Sequence, residues 1–280
     1  MNPEHLLIEQ SGQEFVKIGG YILPAEDFNL ARFLRDDLGV SWLHAGGIIS
    51  TRQLLKELDV RPGMRVLDMG CGVGSASRFV AANTKAEVVA IDFDPEMIRR
   101  AREASGPRSN IRFEVMDVVR TTLPSNSFDR IIIQSVACFT DKVPLFREAA
   151  RLLKPGGILG MNEVTWLQPP TEKVAKVMCA TICETFRGAL LASEWKETLH
   201  EAGLVEASHT EYPFDASTPY QILREEGVVK TAKVMWRVFT RPEINMRLSA
   251  MSDFFKKCPE YFSYAIYTAR KPEAGAENQE

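Results

Sequence analysis

What the chain lacks narrows the reading first. It has no run of about 18 apolar residues, so no part of it is expected to span a membrane. Met1–Phe15 has neither a basic start nor an apolar centre. No secretory leader is therefore expected, and the compartment read is the cytoplasm. Cysteine is sparse: Cys71, Cys138, Cys179, Cys183 and Cys258 make an odd set with no Cys-x-x-Cys pair, which fits free thiols in a reducing compartment. Basic excess is missing too. The 34 Lys and Arg stand against 37 Asp and Glu, and a net charge of −3 is not the footprint of a nucleic-acid binder. No internal repeat and no low-complexity tract interrupts the chain before its polar end. The 280 residues, 45% hydrophobic and 25% charged, suffice for one large α/β domain with a small cap.

The rest is organised around Val66-Leu67-Asp68-Met69-Gly70-Cys71-Gly72-Val73-Gly74. It reads as a buried strand, a glycine-rich turn and the start of a helix at Ser75. Glycines there let the chain turn sharply, let backbone approach a ligand and let helix pack close to sheet. The helix N-terminus that follows offers free N–H groups and a positive dipole end. The spacing is Gly-x-Gly-x-Gly, not Gly-x-Gly-x-x-Gly, and no Tyr-x-x-x-Lys pair follows the fourth strand; both weigh against a nicotinamide-dependent oxidoreductase.

Upstream, Met1–Ile22 carries little pattern and reads as a partly ordered arm. After Pro24 comes an amphipathic helix with Phe28, Ala31, Leu34 and Leu38 on one face and Gly39 as its stop. Ser50 and Gln53 suggest a capping box for the next helix, with Leu54, Leu55 and Leu58 as its stripe. Downstream, strands at Glu87–Ile91, Ile111–Val115, Arg130–Gln134 and Ile158–Asn162 alternate with helices at Met97–Ala104 and Pro144–Leu153. Alternation of this length predicts βαβ units and a parallel sheet. Helices are expected at Thr171–Phe186, Ser193–Ala202 and through Thr218–Lys257, and strands at Leu204–Phe214 and Phe262–Ala269. The predicted fold is α/β: a doubly wound, mostly parallel seven-stranded sheet, its last strand antiparallel, with an α-helical cap. Residues 1–60 are expected to cover the cofactor site and 61–165 to form the cofactor-binding core. Residues 166–271 would complete the sheet and supply the cap, and 272–280 reads as a disordered tail.

In a doubly wound sheet, ligands sit outside the carboxyl ends of the strands. Those ends carry Gly70–Gly74, then Asp92 (twenty positions beyond Gly72), Asp117, Gln134 and Glu163. Together with Val88–Asp92, Met116-Asp117, Leu123-Pro124, Ser127-Phe128-Asp129 and Arg151–Gly157, these residues resemble the Rossmann-like S-adenosylmethionine-dependent methyltransferases. The ubiquinone/menaquinone-type and phosphoethanolamine-type small-molecule enzymes are the nearest in pattern, and Gly46–Thr51 looks like the latter. The resemblance spans about Gly46 to Val164. It implies S-adenosylmethionine as cofactor, with Gly70, Cys71 and Gly72 lining its methionine part and Asp68 orienting the loop or meeting the ammonium through water. It further implies Asp92 on the ribose, Phe93 over the adenine with Met97 nearby, Asp117 and Val118 on the adenine edge, and the backbone near Gln134 facing the methionine amino group.

The resemblance is specific for the cofactor and not for the acceptor. The phosphoethanolamine group carries an acid and a histidine just after its fourth strand, whereas Gln134–Thr140 has neither here. A phosphobase ammonium would thus lack its carboxylate partner. The catalytic candidates are Glu163 and His44. Cys71 and Cys138 read as space-fillers; Cys179 and Cys183, at i and i+4, read as a buried face, and no metal is expected. His200 and His209 have no evident partner. The Met- and aromatic-rich helices admit two readings, a pocket for a hydrophobic or aromatic small molecule, or packing against each other or a second copy in a homodimer. A non-catalytic S-adenosylmethionine-binding protein is the other class left open.

Overall fold

The computed structural model describes residues 7–10, 13–18, 21–24, 32–107, 110–172, 174–176, 178, 187–213, 219–246, 248–249 and 259–274. Near the N-terminus, β1 (Leu7–Gln10), β2 (Gln13–Ile18) and β3 (Tyr21–Pro24) form an antiparallel meander, where the sequence pattern pointed to no element. A π-helical segment, α1 (Phe33–Leu38), buries Phe33, Leu34 and Leu38 and ends at Gly39 with φ 80°. Phe28 and Ala31 lie outside the described residues.

Next come α2 (Gly47–Leu58), β4 (Arg65–Met69), α3 (Ser75–Thr84), β5 (Glu87–Asp92), α4 (Pro95–Ser105) and β6 (Ile111–Val115). Asp94 caps α4 as its pattern predicts, its side chain accepting from the Glu96 N–H at 2.8 Å with Pro95 in the first turn. The cap of α2 differs from expectation. This helix starts three residues before Ser50, from Gly46 at φ 73°, and Ser50 is buried inside it. The Ser50 hydroxyl is engaged by the carbonyls of Ala45 (2.8 Å) and Gly47 (2.9 Å), so it is not the cap.

The chain continues through β7 (Phe128–Gln134), α5 (Lys142–Leu152), β8 (Leu153–Trp166), β9 (Leu190–Leu191), α6 (Ala192–Glu201), β10 (Val205–Pro213), α7 (Pro219–Thr240, kinked at Gly227) and β11 (Phe262–Arg270). The sheet runs β10-β11-β8-β7-β4-β5-β6, seven strands as predicted, and the two-residue β9 adds an eighth beside the end of β8. The last strand, β11, is antiparallel to both its neighbours; the pairings of β8, β7, β4, β5 and β6 are parallel. Helices on both faces explain the apolar runs. Val66, Leu67, Met69 and Ile131–Ile133 are all buried, as strands covered on two sides must be. Each such side chain contributes roughly 1.5–3 kcal/mol of burial free energy. Because β5 lies on one side of β4 and β7 on the other, the crossovers diverge at β4, and a crevice opens at its carboxyl end.

Candidate functional site

The turn after β4 is pinned to β5, since the N–H groups of Gly70 and Cys71 both donate to the Ile91 carbonyl at 2.8 and 2.9 Å. Gly70 sits at φ 82°, where a Cβ would overlap Val136, so glycine is required there. Gly72 contrasts with it. A Cβ at Gly72 would meet nothing within 4 Å, which leaves its backbone bare to the crevice. Its N–H donates to Asp92 Oδ2 at 2.8 Å, and the Asp94 N–H donates to Oδ1 at 3.0 Å. Burial pushes the Asp92 pKa upward against these two bonds.

Beside Asp92, the Phe93 ring stands 77% exposed. Met97, in the first turn of α4, is buried, its sulfur accepting from Arg35 at 3.5 Å. At the end of β6, Asp117 is exposed and accepts from the Val119 N–H at 3.0 Å, while Val118 is buried. Asp92 thus ends β5 with the exposed Phe93 next to it, and Asp117 follows the adjacent strand β6. Asp68 is buried, bonded to the Ser77 hydroxyl at 2.5 Å, and burial pushes its pKa up to about 6. The Cys71 thiol lies 3.6 Å from the Gly72 carbonyl, and burial, with the charges of Asp68 and Asp92, raises its pKa far from thiolate range. It is a filler and not a nucleophile.

A second group of polar residues gathers where the end of β7 meets β8, which runs on to Trp166 past the Asn162 end expected from the sequence, so that Asn162 and Glu163 lie within the strand. The segment between α1 and α2 is gripped by α7. The Ser41 N–H donates to Glu226, Lys230 bridges Ser41 and Glu226, and Arg237 donates to the Asp37 carbonyl at 3.2 Å. That segment carries His44, whose ring meets Trp42 edge-on at 5.7 Å. His44 Nε2 lies 3.0 Å from both the Gly47 carbonyl and Thr51 Oγ1, and the Thr51 hydroxyl donates to Gln134 Oε1 at 3.0 Å. Burial lowers the His44 pKa to about 4, so the ring is neutral at neutral pH. Gln134 pairs in register with Asn162. The Asn162 amide donates to the Ala45 carbonyl (2.8 Å) and to Ser50 Oγ (3.0 Å). Gln134 Nε2 and Asn162 Oδ1 are buried with no hydrogen-bond partner. Sequence reasoning did not place Thr51, Ser50 or Asn162 in the site; the one available signal was Asn162 next to Glu163 at the strand end expected from the pattern.

Glu163 faces the other way, as the residue after Asn162 on one strand must. It is fully buried, with Oε1 accepting from the N–H groups of Val136 and Ala137, each at 2.8 Å, and burial raises its pKa. It therefore holds the turn after β7, with the buried Cys138 thiol as neighbour. The structure does not bring Glu163 and His44 together. Elsewhere, His209 does have partners, stacking on Tyr267 at 5.6 Å with Nε2 3.6 Å from Glu211. Cys179 and Cys183 lie outside the described residues. Among the described residues no cluster of three His, Cys, Asp or Glu could hold a metal ion, and no helix is long and apolar enough to cross a membrane.

Fold and site together define a doubly wound α/β protein with a nucleotide-type crevice at the switch point. The profile of the family described as "Methyltransferase domain" matches residues 61–203, half of the chain, and the chain belongs to that family. Phosphoethanolamine N-methyltransferase 3 of Arabidopsis thaliana is 38% identical over 121 residues, covering 42% of this chain and 25% of that protein. The chain thus spans about a quarter of the length of the phosphoethanolamine relatives it matches. Methyltransferase GfsG of Streptomyces halstedii is 27% identical over 256 residues, covering 85% of this chain and 84% of its own. Among solved structures, phosphoethanolamine N-methyltransferase 2 of Haemonchus contortus, with phosphomonomethylethanolamine and S-adenosylhomocysteine, superposes with a TM-score of 0.68 at 16% identity, covering 95% of this chain and 71% of that one. The [4+2]-cyclase SpnF does so with a TM-score of 0.60 at 24% identity, covering 81% of each. These two likenesses are of fold alone.

Proposed function

We propose that the protein transfers a methyl group from S-adenosylmethionine to a small hydrophobic or aromatic acceptor. The observation that carries this reading is the bare Gly72 backbone beside Asp92, the exposed Phe93 and Asp117, on a chain of the methyltransferase-domain family. These residues fit the cofactor. Asp92 and Asp117 accept from ribose and adenine donors, Phe93 and Met97 flank the base, and the Val118 backbone meets the ring. Gly70, Cys71 and Gly72 line the methionine part, with Asp68 behind them. The backbone at Gln134, the last residue of β7, faces the methionine amino group. When bound, the cofactor supplies an electrophilic methyl group on a sulfonium, and transfer needs an in-line acceptor and a place for its proton.

Of the two candidate bases we favour His44, because its ring is neutral at neutral pH, whereas Glu163 Oε1 is committed to two backbone amides. Residues 61–165 serve as the cofactor-binding core, 1–60 cover it, and 166–271 add the remaining strands and the cap. An apolar acceptor agrees with the absence of an acid and a histidine in Gln134–Thr140. The test is calorimetry with S-adenosylmethionine, S-adenosylhomocysteine and NADH, followed by an acceptor screen that counts S-adenosylhomocysteine formed. Binding of both sulfur nucleotides with turnover supports the reading. Binding without turnover would favour a protein that keeps the site for another purpose, and NADH binding alone would overturn both.

A further inference from the structure

We infer that the outer face of α7, from Val228 to Phe239, is a docking surface for an anionic lipid bilayer, on which the helix lies without crossing it. The stretch after the Gly227 kink has two apolar faces. On its inner side Val234 is buried and Val238 packs on the core. Arg237 donates to the Asp37 carbonyl at 3.2 Å and Lys230 bridges Ser41 and Glu226, which fastens this half of the helix to the body of the protein. The outer side is bare. Val228 is 74% exposed, Val229 70%, Trp236 67% and Phe239 86%, with Ala232 and Met235 exposed among them. At about 100° per residue, these six share one arc of about 120° and make a continuous stripe about three turns long. The Trp236 and Phe239 rings alone would bury on the order of 300 Å² if covered, the scale of the largest apolar patch on an ordinary monomer. A helix apolar on both sides is expected to be covered on both.

Charge selects what covers it. Gly227–Arg241 holds Lys230, Lys233, Arg237 and Arg241 and no Asp or Glu, in a chain whose net charge is −3. Glu226 neutralises Lys230 at 2.7 Å. Lys233 and Arg241 are exposed, and among the described residues neither makes an ion pair. Lys233 borders the stripe, one turn from both Val229 and Trp236. A second copy of the chain is a poor fit, because a two-fold interface would set this basic helix against a helix of the same sign. A nucleic acid would take the cations and leave the apolar stripe unused. An anionic bilayer takes both. The Val, Met, Phe and Trp side chains enter the boundary between headgroups and acyl chains, the indole N–H reaches the headgroups, and Lys233 and Arg241 meet lipid phosphates. Met235, Trp236 and Phe239, which the sequence pattern offered to a pocket or to a second copy, thus face outward toward lipid.

The test sediments the full chain with vesicles of phosphatidylcholine alone and of phosphatidylcholine mixed with phosphatidylserine, and follows tryptophan emission. Expected is binding to the mixed vesicles at least about tenfold stronger than to the neutral ones, weakening as salt is raised. A blue shift of emission should accompany binding and vanish in Trp236→Phe, which keeps an apolar ring, because Trp166 and Trp195 are buried. Trp236→Gln combined with Phe239→Gln should weaken binding to the mixed vesicles at least about tenfold. Lys233→Glu combined with Arg241→Glu should do the same, since each basic residue near the surface is worth roughly fivefold. All four side chains are exposed, so the melting temperature of both pairs should stay that of the parent protein. No sedimentation with the mixed vesicles overturns the inference, as does equal binding by the parent and the glutamine pair. A blue shift that persists in Trp236→Phe would put another tryptophan at the lipid and overturn it too. Analytical ultracentrifugation tests the competing occupant: a dimer that the glutamine pair dissociates would assign the face to a second copy. Neither measurement uses cofactor or acceptor, so failure here leaves the methyl-transfer reading as it stands.

Discussion

The Gly72 N–H donates to Asp92 Oδ2 at 2.8 Å, joining the glycine turn of one strand to the terminal residue of the next. The other carboxylate oxygen takes the Asp94 N–H. Asp92 therefore shapes the turn, apart from the ribose contact proposed for it. Asp92→Ala removes both bonds and the ligand's acceptor, so affinity for S-adenosylmethionine should fall at least about tenfold, the value of one hydrogen bond to a charged group. Calorimetry on the variant checks it, with circular dichroism to establish that the sheet is intact. Unchanged affinity removes Asp92 from the site.

Phe93 separates binding from stability. With 77% of its surface exposed, its ring contributes little to folding. Over an adenine, the same ring would contribute about 0.5–1.5 kcal/mol of stacking. Phe93→Ala is expected to leave the melting temperature within about 1 °C and to weaken cofactor binding by about threefold to tenfold. A thermal-shift titration reads both quantities. A lower melting temperature without ligand, at unchanged affinity, would make Phe93 a packing residue.

What could be read in the sequence was what depends on neighbours along the chain. The Val66–Met69 and Ile131–Ile133 runs announce strands covered on both faces, and the Asp94-Pro95 pair announces the start of α4. Asp92 could be placed at the end of β5 because the apolar run of that strand stops there. What could not be read depends on distant partners. Ser50 imitates a cap, but its hydroxyl is bound by Asn162, 112 residues away, and Thr51 meets Gln134 across 83. Glu163 occupied a catalytic position in the pattern, yet strand alternation turns it away from His44 and onto the Val136 and Ala137 amides.

That placement gives Glu163 a distinguishable signature. A glutamine keeps an oxygen for both amides and removes only the ionisable group. Glu163→Gln should therefore retain turnover within about threefold and stability within about 1 kcal/mol, while Glu163→Ala leaves two buried donors unpaired and costs about 2 kcal/mol or more. Urea unfolding and the S-adenosylhomocysteine assay measure the pair. A hundredfold loss of turnover in a stable Glu163→Gln protein would restore Glu163 as the base.

Asp68 should leave its mark on the pH dependence of stability. Burial raises its folded-state pKa to about 6, above the ordinary carboxyl value of the unfolded chain, so the native state holds the proton more tightly. Stability is then highest below the unfolded pKa, falls as pH rises between about 4 and 6, and by neutral pH has lost about 2–3 kcal/mol to the buried charge. Asp68→Asn keeps an oxygen for the Ser77 hydroxyl and abolishes the charge. The variant should be more stable than the parent protein at pH 8 by about that amount, with the gap closing as the pH is lowered toward 4. Paired urea titrations at several pH values measure the gap. A variant less stable than the parent at pH 8, with the deficit vanishing on acidification, would mean that Asp68 is held charged by a partner.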